Sequence, residues 1–303
     1  MKGREIMKFL KDRETSFAHF MRACLVLAIA SILMFASWGC EPPGTSDPDY
    51  DTFSDGPHRT TQDLGSGPSG NSGLFYPTGV GTEGKVFPIF LWCCGGGSAP
   101  RDYAVRMNRI ASHGFVVIAE VSSGSGEELI EALEWLIEQN NNSRSPLYKR
   151  LDISPDYYAE PGGCSGGGTV GTVNVAAGGH SLGSVGTFAI ADDSRLRTTI
   201  HVAGGSFDGR GPNNLRNPAA YLAGENDSLA TSNVERDYRN TTVPVFMTVM
   251  KGVGHIDATE KGLPAIIAWL HWHLGGQTWR QADFLQPGGV FTTGMWKSKS
   301  KNW

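Results

Sequence analysis

Residues Gly179-His180-Ser181-Leu182-Gly183 form a G-x-S-x-G pentapeptide between two dissimilar stretches of chain. Residues 173–177 before it are apolar and read as a buried strand, and the small residues 184–191 after it read as a helix. A serine on so sharp a strand-to-helix turn is a candidate nucleophile elbow, with its hydroxyl raised above the end of a sheet. The two glycines leave room for the turn, because a Cβ at either place would meet neighbouring backbone. A second match, Gly163-Cys164-Ser165-Gly166-Gly167, follows Pro161 with no strand before it and no helix after it. Ser165 therefore lacks the elbow context.

The rest of the chain alternates in the same way. Apolar runs at 87–92, 115–121, 199–203, 219–223 and 243–250 read as buried strands. Helical spacing appears over 102–113, ended by Gly114, and in the stripe Leu129, Ile130, Leu133, Leu136 and Ile137. A last helix carries Ile266, Ile267, Trp269 and Leu270. Strands alternating with helices predict an α/β fold, a mainly parallel sheet with helices on both faces. Ligands in such sheets bind beyond the carboxyl ends of the strands, where Ser181 falls.

Composition excludes some partners. A net charge of −4 without a long basic run excludes a nucleic-acid role, and Lys297, Lys299 and Lys301 read as a solvated tail. Near the start, Arg22 precedes an apolar run from 23 to 38, shorter than the roughly 20 residues of a membrane span. It ends in Ser37-Trp38-Gly39-Cys40, which resembles a bacterial lipoprotein signal with Cys40 as the lipidated residue; a start at Met21 would give a more ordinary signal length. Residues 1–40 are accordingly expected to be an export signal. Residues 41–73, rich in Pro, Gly, Ser, Asp and Thr, are expected to be a flexible linker, and 74–303 the catalytic domain. The expected location is a bacterial cell envelope, with membrane association through the lipid.

A serine hydroxyl needs a base to take its proton and a carboxylate to orient that base. In an α/β-hydrolase order these follow the serine as acid, then histidine. Asp227, in Gly224-Glu225-Asn226-Asp227-Ser228 just past the strand 219–223, is the candidate acid, with Glu225 its competitor. Of the three later histidines, His271 and His273 lie within the last helix, whereas His255 sits in a glycine-rich loop directly after a strand. His255 is the candidate base. The developing oxyanion needs backbone donors, for which the amides of Leu182 and of Gly96, in Cys94-Gly95-Gly96-Gly97-Ser98, are the candidates. Gly97, in the same loop, is expected to contact the substrate. This chemistry calls for no cofactor, and no cysteine or histidine pair has zinc-ligand spacing. Cys93, Cys94 and Cys164 are an odd set outside the signal, and a bridge to Cys164 requires its loop to fold back to within about 7 Å between Cα atoms.

These motifs, together with Ile110-Ala111-Ser112-His113-Gly114-Phe115 and Gly254-His255-Ile256, resemble the bacterial cutinase-like polyester hydrolase and dienelactone-hydrolase-like branch of the α/β-hydrolases. The likeness runs from about Leu74 to the C-terminus. It implies a serine esterase with Ser181 as nucleophile, Asp227 as acid and His255 as base, acting on a small-molecule, lipid or polymer ester. Acyl transfer on the same triad and a non-catalytic binding module are the rival expectations. Polyester hydrolases of this group usually carry an aromatic residue where this chain has Gly96, and a tryptophan where it reads Gly204-Gly205-Ser206-Phe207. The ring clamp for a polymer is thus missing or rebuilt around Phe207. An insertion between Asp152 and Val173, with Tyr157, Tyr158 and Cys164, has no functional reading.

Overall fold

A computed structural model describes residues 51–79, 84–154, 157 and 172–303. The expected signal segment, Cys40, Tyr158, Cys164 and Ser165 lie outside these residues. Among the described residues, nine strands form one sheet: β1 (Thr60–Ser66), β2 (Ser72–Pro77), β3 (Ile89–Cys93), β4 (Val116–Glu120), β5 (Val175–His180), β6 (Leu196–Val202), β7 (Ala219–Gly224), β8 (Val245–Met250) and β9 (Trp296–Lys301). Their order is β1-β2-β4-β3-β5-β6-β7-β8-β9; neighbours from β4 to β8 in this order pair parallel, and the β1–β2, β2–β4 and β8–β9 pairs are antiparallel. This is the mainly parallel sheet expected from the strand and helix alternation, and it is consistent with the α/β-hydrolase fold that the resemblance implies.

Helices cover both faces because the strands are apolar on both. Along β3, Phe90 and Trp92 point to one face, packed with Met107 and Ile110 of α1 (Ala104–Ser112) and Ile266 and Trp269 of α6 (Leu263–His273). Ile89, Leu91 and Cys93 point to the other, against Leu129, Leu133 and Leu136 of α2 (Glu127–Asn141). Each such side chain, fully buried, contributes about 1.5–3 kcal/mol before the entropy of ordering it. The remaining helices are α3 (Leu182–Ala189), α4 (Thr231–Asn240), α5 (Ala258–Lys261) and α7 (Gln281–Leu285). Chain order turns one way from β3 to β4 and the other way to β5, so the end of β5 stands at a topological switch point.

Two expectations about the ends of the domain are corrected. Residues 51–73 are not a linker: β1 pairs with β2, and Arg109 of α1 donates to the carbonyls of Thr52 and Ser54. Thr60–Ser66 is an exposed edge strand, so its polar composition reflects solvent contact along an edge rather than lack of structure. Nor are Lys297, Lys299 and Lys301 a solvated tail. They are the outward residues of β9, alternating with the buried Trp296. Lys299 and Lys301 place their ammonium groups 4.8 and 5.1 Å from the Tyr238 ring, and Lys297 pairs with Glu225. A row of lysines on an edge strand also opposes pairing with a further chain. The ends of the 153–172 insertion are closed by a bridge between Ile153 and Val173.

Glu120, at the end of β4, is 5% exposed, and burial pushes its pKa up to about 7 despite the nearby Ser72 hydroxyl. The folded chain holds this proton up to about pH 7, whereas an unfolded chain releases it near 4.5. Stability from this site is therefore fully present below the unfolded value and is lost as pH rises through the folded one. Glu120→Gln is expected to stabilise the protein by roughly 1–2 kcal/mol at pH 8 and to change little at pH 4. Thermal unfolding at the two pH values checks this, and an equal gain at both would contradict it.

Candidate active site

The elbow is built as its sequence requires. Ser181 adopts φ 55° and ψ −119° between β5 and α3, a left-handed conformation that costs of order 1–3 kcal/mol and is held by the surrounding packing. A Cβ on Gly179 would come within 2.3 Å of the Gly183 backbone, and one on Gly183 within 2.1 Å of the Cys93 carbonyl oxygen. Only glycine lets α3 approach β3 and β5 this closely. The Ser181 amide donates to the Val202 carbonyl at 3.0 Å, tying the turn to β6.

Loops after β5, β7 and β8 bring the three predicted side chains together. Ser181 Oγ lies 2.9 Å from His255 Nε2, and His255 Nδ1 lies 2.9 Å from Asp227 Oδ2. Asp227 is 4% exposed, and its Oδ1 accepts the amides of Leu229 and Ala230 at 2.9 and 3.1 Å. Both carboxylate oxygens are thus committed, one to the loop and one to the imidazole. The loops carrying Asp227 and His255 are also joined directly, since the Asn226 amide donates to the Val253 carbonyl at 2.8 Å. Glu225, the competitor, points away: it accepts the Gly252 amide at 2.9 Å and pairs with Lys297. His271 is buried within α6, edge-on to Phe115 at 5.1 Å between ring centres.

The glycine loop after β3 stands beside the elbow. A Cβ on Gly96 would lie 3.3 Å from Leu182 Cδ2, so the glycine loop runs beside the Leu182 side chain. Leu182 opens α3, and a first-turn amide has no partner within its own helix. Gly96 and Gly97 are exposed, Gly97 with φ +75°. Cys93 and Cys94 are buried free thiols, with burial holding that of Cys93 up at about 12, far from a reactive thiolate.

Phe207 is 72% exposed on the loop after β6. That loop is anchored by Ser206, whose hydroxyl donates to Asp237 and whose carbonyl accepts Arg236. Two further apolar residues were not anticipated from the sequence. Leu229, two residues past Asp227, is 70% exposed, and Ile256, directly after His255, is 68% exposed. Their signal was simple: large aliphatic residues in polar loops, next to candidate site residues. His180 and Tyr103, which are buried beside the triad, were also missed; one was the variable position of a motif and the other a helical core residue.

The PET hydrolase-like (PETase) family model matches residues 46–251, about two thirds of the chain, and includes the elbow and the acid loop. No curated protein matches the chain. The match begins ahead of β1, in agreement with a folded domain that starts before Leu74. The chain belongs to the PET hydrolase-like family, whose members are carboxylic ester hydrolases.

Proposed function

We propose that the chain is an exported serine hydrolase that cleaves carboxylic esters through an acyl-enzyme, with Ser181, His255 and Asp227 as its triad. The observation that carries this reading is the pair of 2.9 Å contacts linking the Ser181 hydroxyl, the His255 ring and the Asp227 carboxylate at a left-handed elbow. His255 Nε2 takes the Ser181 proton as Oγ attacks the ester carbonyl. Asp227 Oδ2 accepts the hydrogen bond from Nδ1–H, stays ionised, and stabilises the imidazolium that forms. The amides of Gly96 and Leu182 receive the oxyanion. His255 returns the proton to the leaving alkoxide, the alcohol departs, and water repeats the sequence to release the acid.

Phe207, Leu229 and Ile256 are exposed apolar residues on the loops after β6, β7 and β8, and suit an apolar ester or a polyester chain. With Gly96 in place of a ring, the site favours aliphatic over aromatic acyl groups. The run 23–38 and Cys40 support export with a lipid anchor, residues 1–40 being the signal.

A fluorophosphonate probe tests the chemistry. Expected is one adduct, on the peptide carrying Ser181, with parallel loss of p-nitrophenyl butyrate hydrolysis. Full labelling of Ser181 with hydrolysis intact would overturn the triad. No turnover across a broad ester panel would favour a binding module instead.

A further inference from the structure

Two buried side chains connect the oxyanion loop to the base. Tyr103, at the turn into α1, and His180, the last residue of β5, are each 4% exposed. The Gly95 amide donates to Tyr103 Oη at 3.0 Å. Tyr103 Oη lies 2.8 Å from His180 Nδ1, and His180 Nε2 lies 3.1 Å from the His255 carbonyl oxygen.

Chemistry at the two ends fixes the direction of every bond. A backbone N–H only donates and a carbonyl only accepts. His180 must therefore carry its proton on Nε2 to meet the His255 carbonyl. Neutral imidazole then leaves Nδ1 as an acceptor, and Tyr103 donates its O–H there while accepting from Gly95. Burial pushes the His180 pKa down to about 4, which keeps the ring neutral beside His255, with Arg106 and Asp227 the other charges acting on it. The fit is tight, because a Cβ on residue 95 would lie 2.9 Å from His180 Nδ1.

Both ends of this chain of bonds are parts of the reaction. Gly95 immediately precedes Gly96, and the His255 carbonyl belongs to the base itself, whose ring centre is 4.9 Å from that of His180. We infer that Tyr103 and His180 are positioning residues: their one-way hydrogen-bond relay holds the oxyanion loop and the His255 main chain at a fixed separation across the substrate carbonyl. The inference rests on the triad reading above. An unbroken relay aligns donor and base before the transition state forms, so its loss falls on kcat rather than on ground-state binding.

Tyr103→Phe keeps the ring and its packing against Trp92, 5.7 Å between centres, but removes two bonds of the relay. For p-nitrophenyl butyrate, kcat is expected to fall about tenfold with KM within about twofold. Phenylboronic acid, which forms a tetrahedral adduct on the serine, is expected to bind weaker by the same factor. His180→Phe should show a similar loss, and the double variant no more than either single one, because one broken link breaks the chain. Additive losses would overturn the relay, as would a lowered melting temperature with kcat and boronate affinity unchanged. Should the Phe variants fail to fold, His180→Gln, which keeps an acceptor oxygen and a donor nitrogen on one carbon, is expected to hold kcat within about threefold. A folded His180→Gln protein with a larger loss in kcat and an unchanged boronate affinity would count against it. Ser181→Ala separates the two readings: wild-type turnover there would remove the triad, whereas an inactive Ser181→Ala beside an unaffected Tyr103→Phe would remove the relay alone.

Discussion

Ser181→Ala is expected to lower kcat/KM for p-nitrophenyl butyrate by about 10⁴-fold or more, with the folded structure and melting temperature kept near wild type. The two halves of this result have separate origins. The hydroxyl makes one side-chain contact within the site, the 2.9 Å bond to His255 Nε2, and its removal takes away the atom that the proposed mechanism uses to attack the carbonyl. Stability does not depend on that atom. The elbow is held by the Ser181 amide on the Val202 carbonyl, by the Ser184 amide on the Ser181 carbonyl, and by the absence of a Cβ at Gly179 and Gly183. Alanine retains all of these and adds no new clash. Residual turnover is expected to come from the oxyanion donors and substrate binding. Steady-state kinetics with a thermal melt reads both halves. A variant that stays active would show that hydrolysis does not pass through Ser181.

The sheet centre was legible in the sequence because its strands are buried on both faces and read as unbroken apolar runs. Residues 87–92 and 219–223 foreshadow β3 and β7 to within two residues at either end. The elbow was legible for a related reason: the space between α3 and its flanking strands dictates glycine on both sides of the serine. The edges were not legible. β1 and β9 leave a hydrogen-bonding edge open to water, β1 burying no residue and β9 only Trp296, so TTQDLGS and WKSKSK contain too few apolar residues to stand out from a linker or tail. The alternation of Trp296, Ser298 and Ser300 with three lysines was the available signal for β9. The relay was hidden more deeply. Tyr103 lies 77 positions from His180 and His180 lies 75 from His255, and no local pattern records a contact that only the fold creates.

The choice of acid between Asp227 and Glu225 yields the second large effect. Asp227→Asn is expected to reduce kcat by about 10⁴-fold while the chain remains folded. The loop amides determine how the new side chain sits. Leu229 and Ala230 both donate to Oδ1, at 2.9 and 3.1 Å, so the asparagine oxygen stays on that side and its NH₂ group turns toward His255. A donor there can meet only an unprotonated Nδ1, which moves the imidazole proton to Nε2. The ring then has no lone pair facing Ser181, and the hydroxyl proton has no acceptor. Glu225→Gln, by contrast, alters a side chain whose partners are the Gly252 amide and Lys297, and kcat is expected to stay within about twofold of wild type. Parallel kinetics on the two variants checks the assignment. A large loss in Glu225→Gln with a small one in Asp227→Asn would transfer the role of acid to Glu225, and would require the β7–β8 loops to rearrange around substrate.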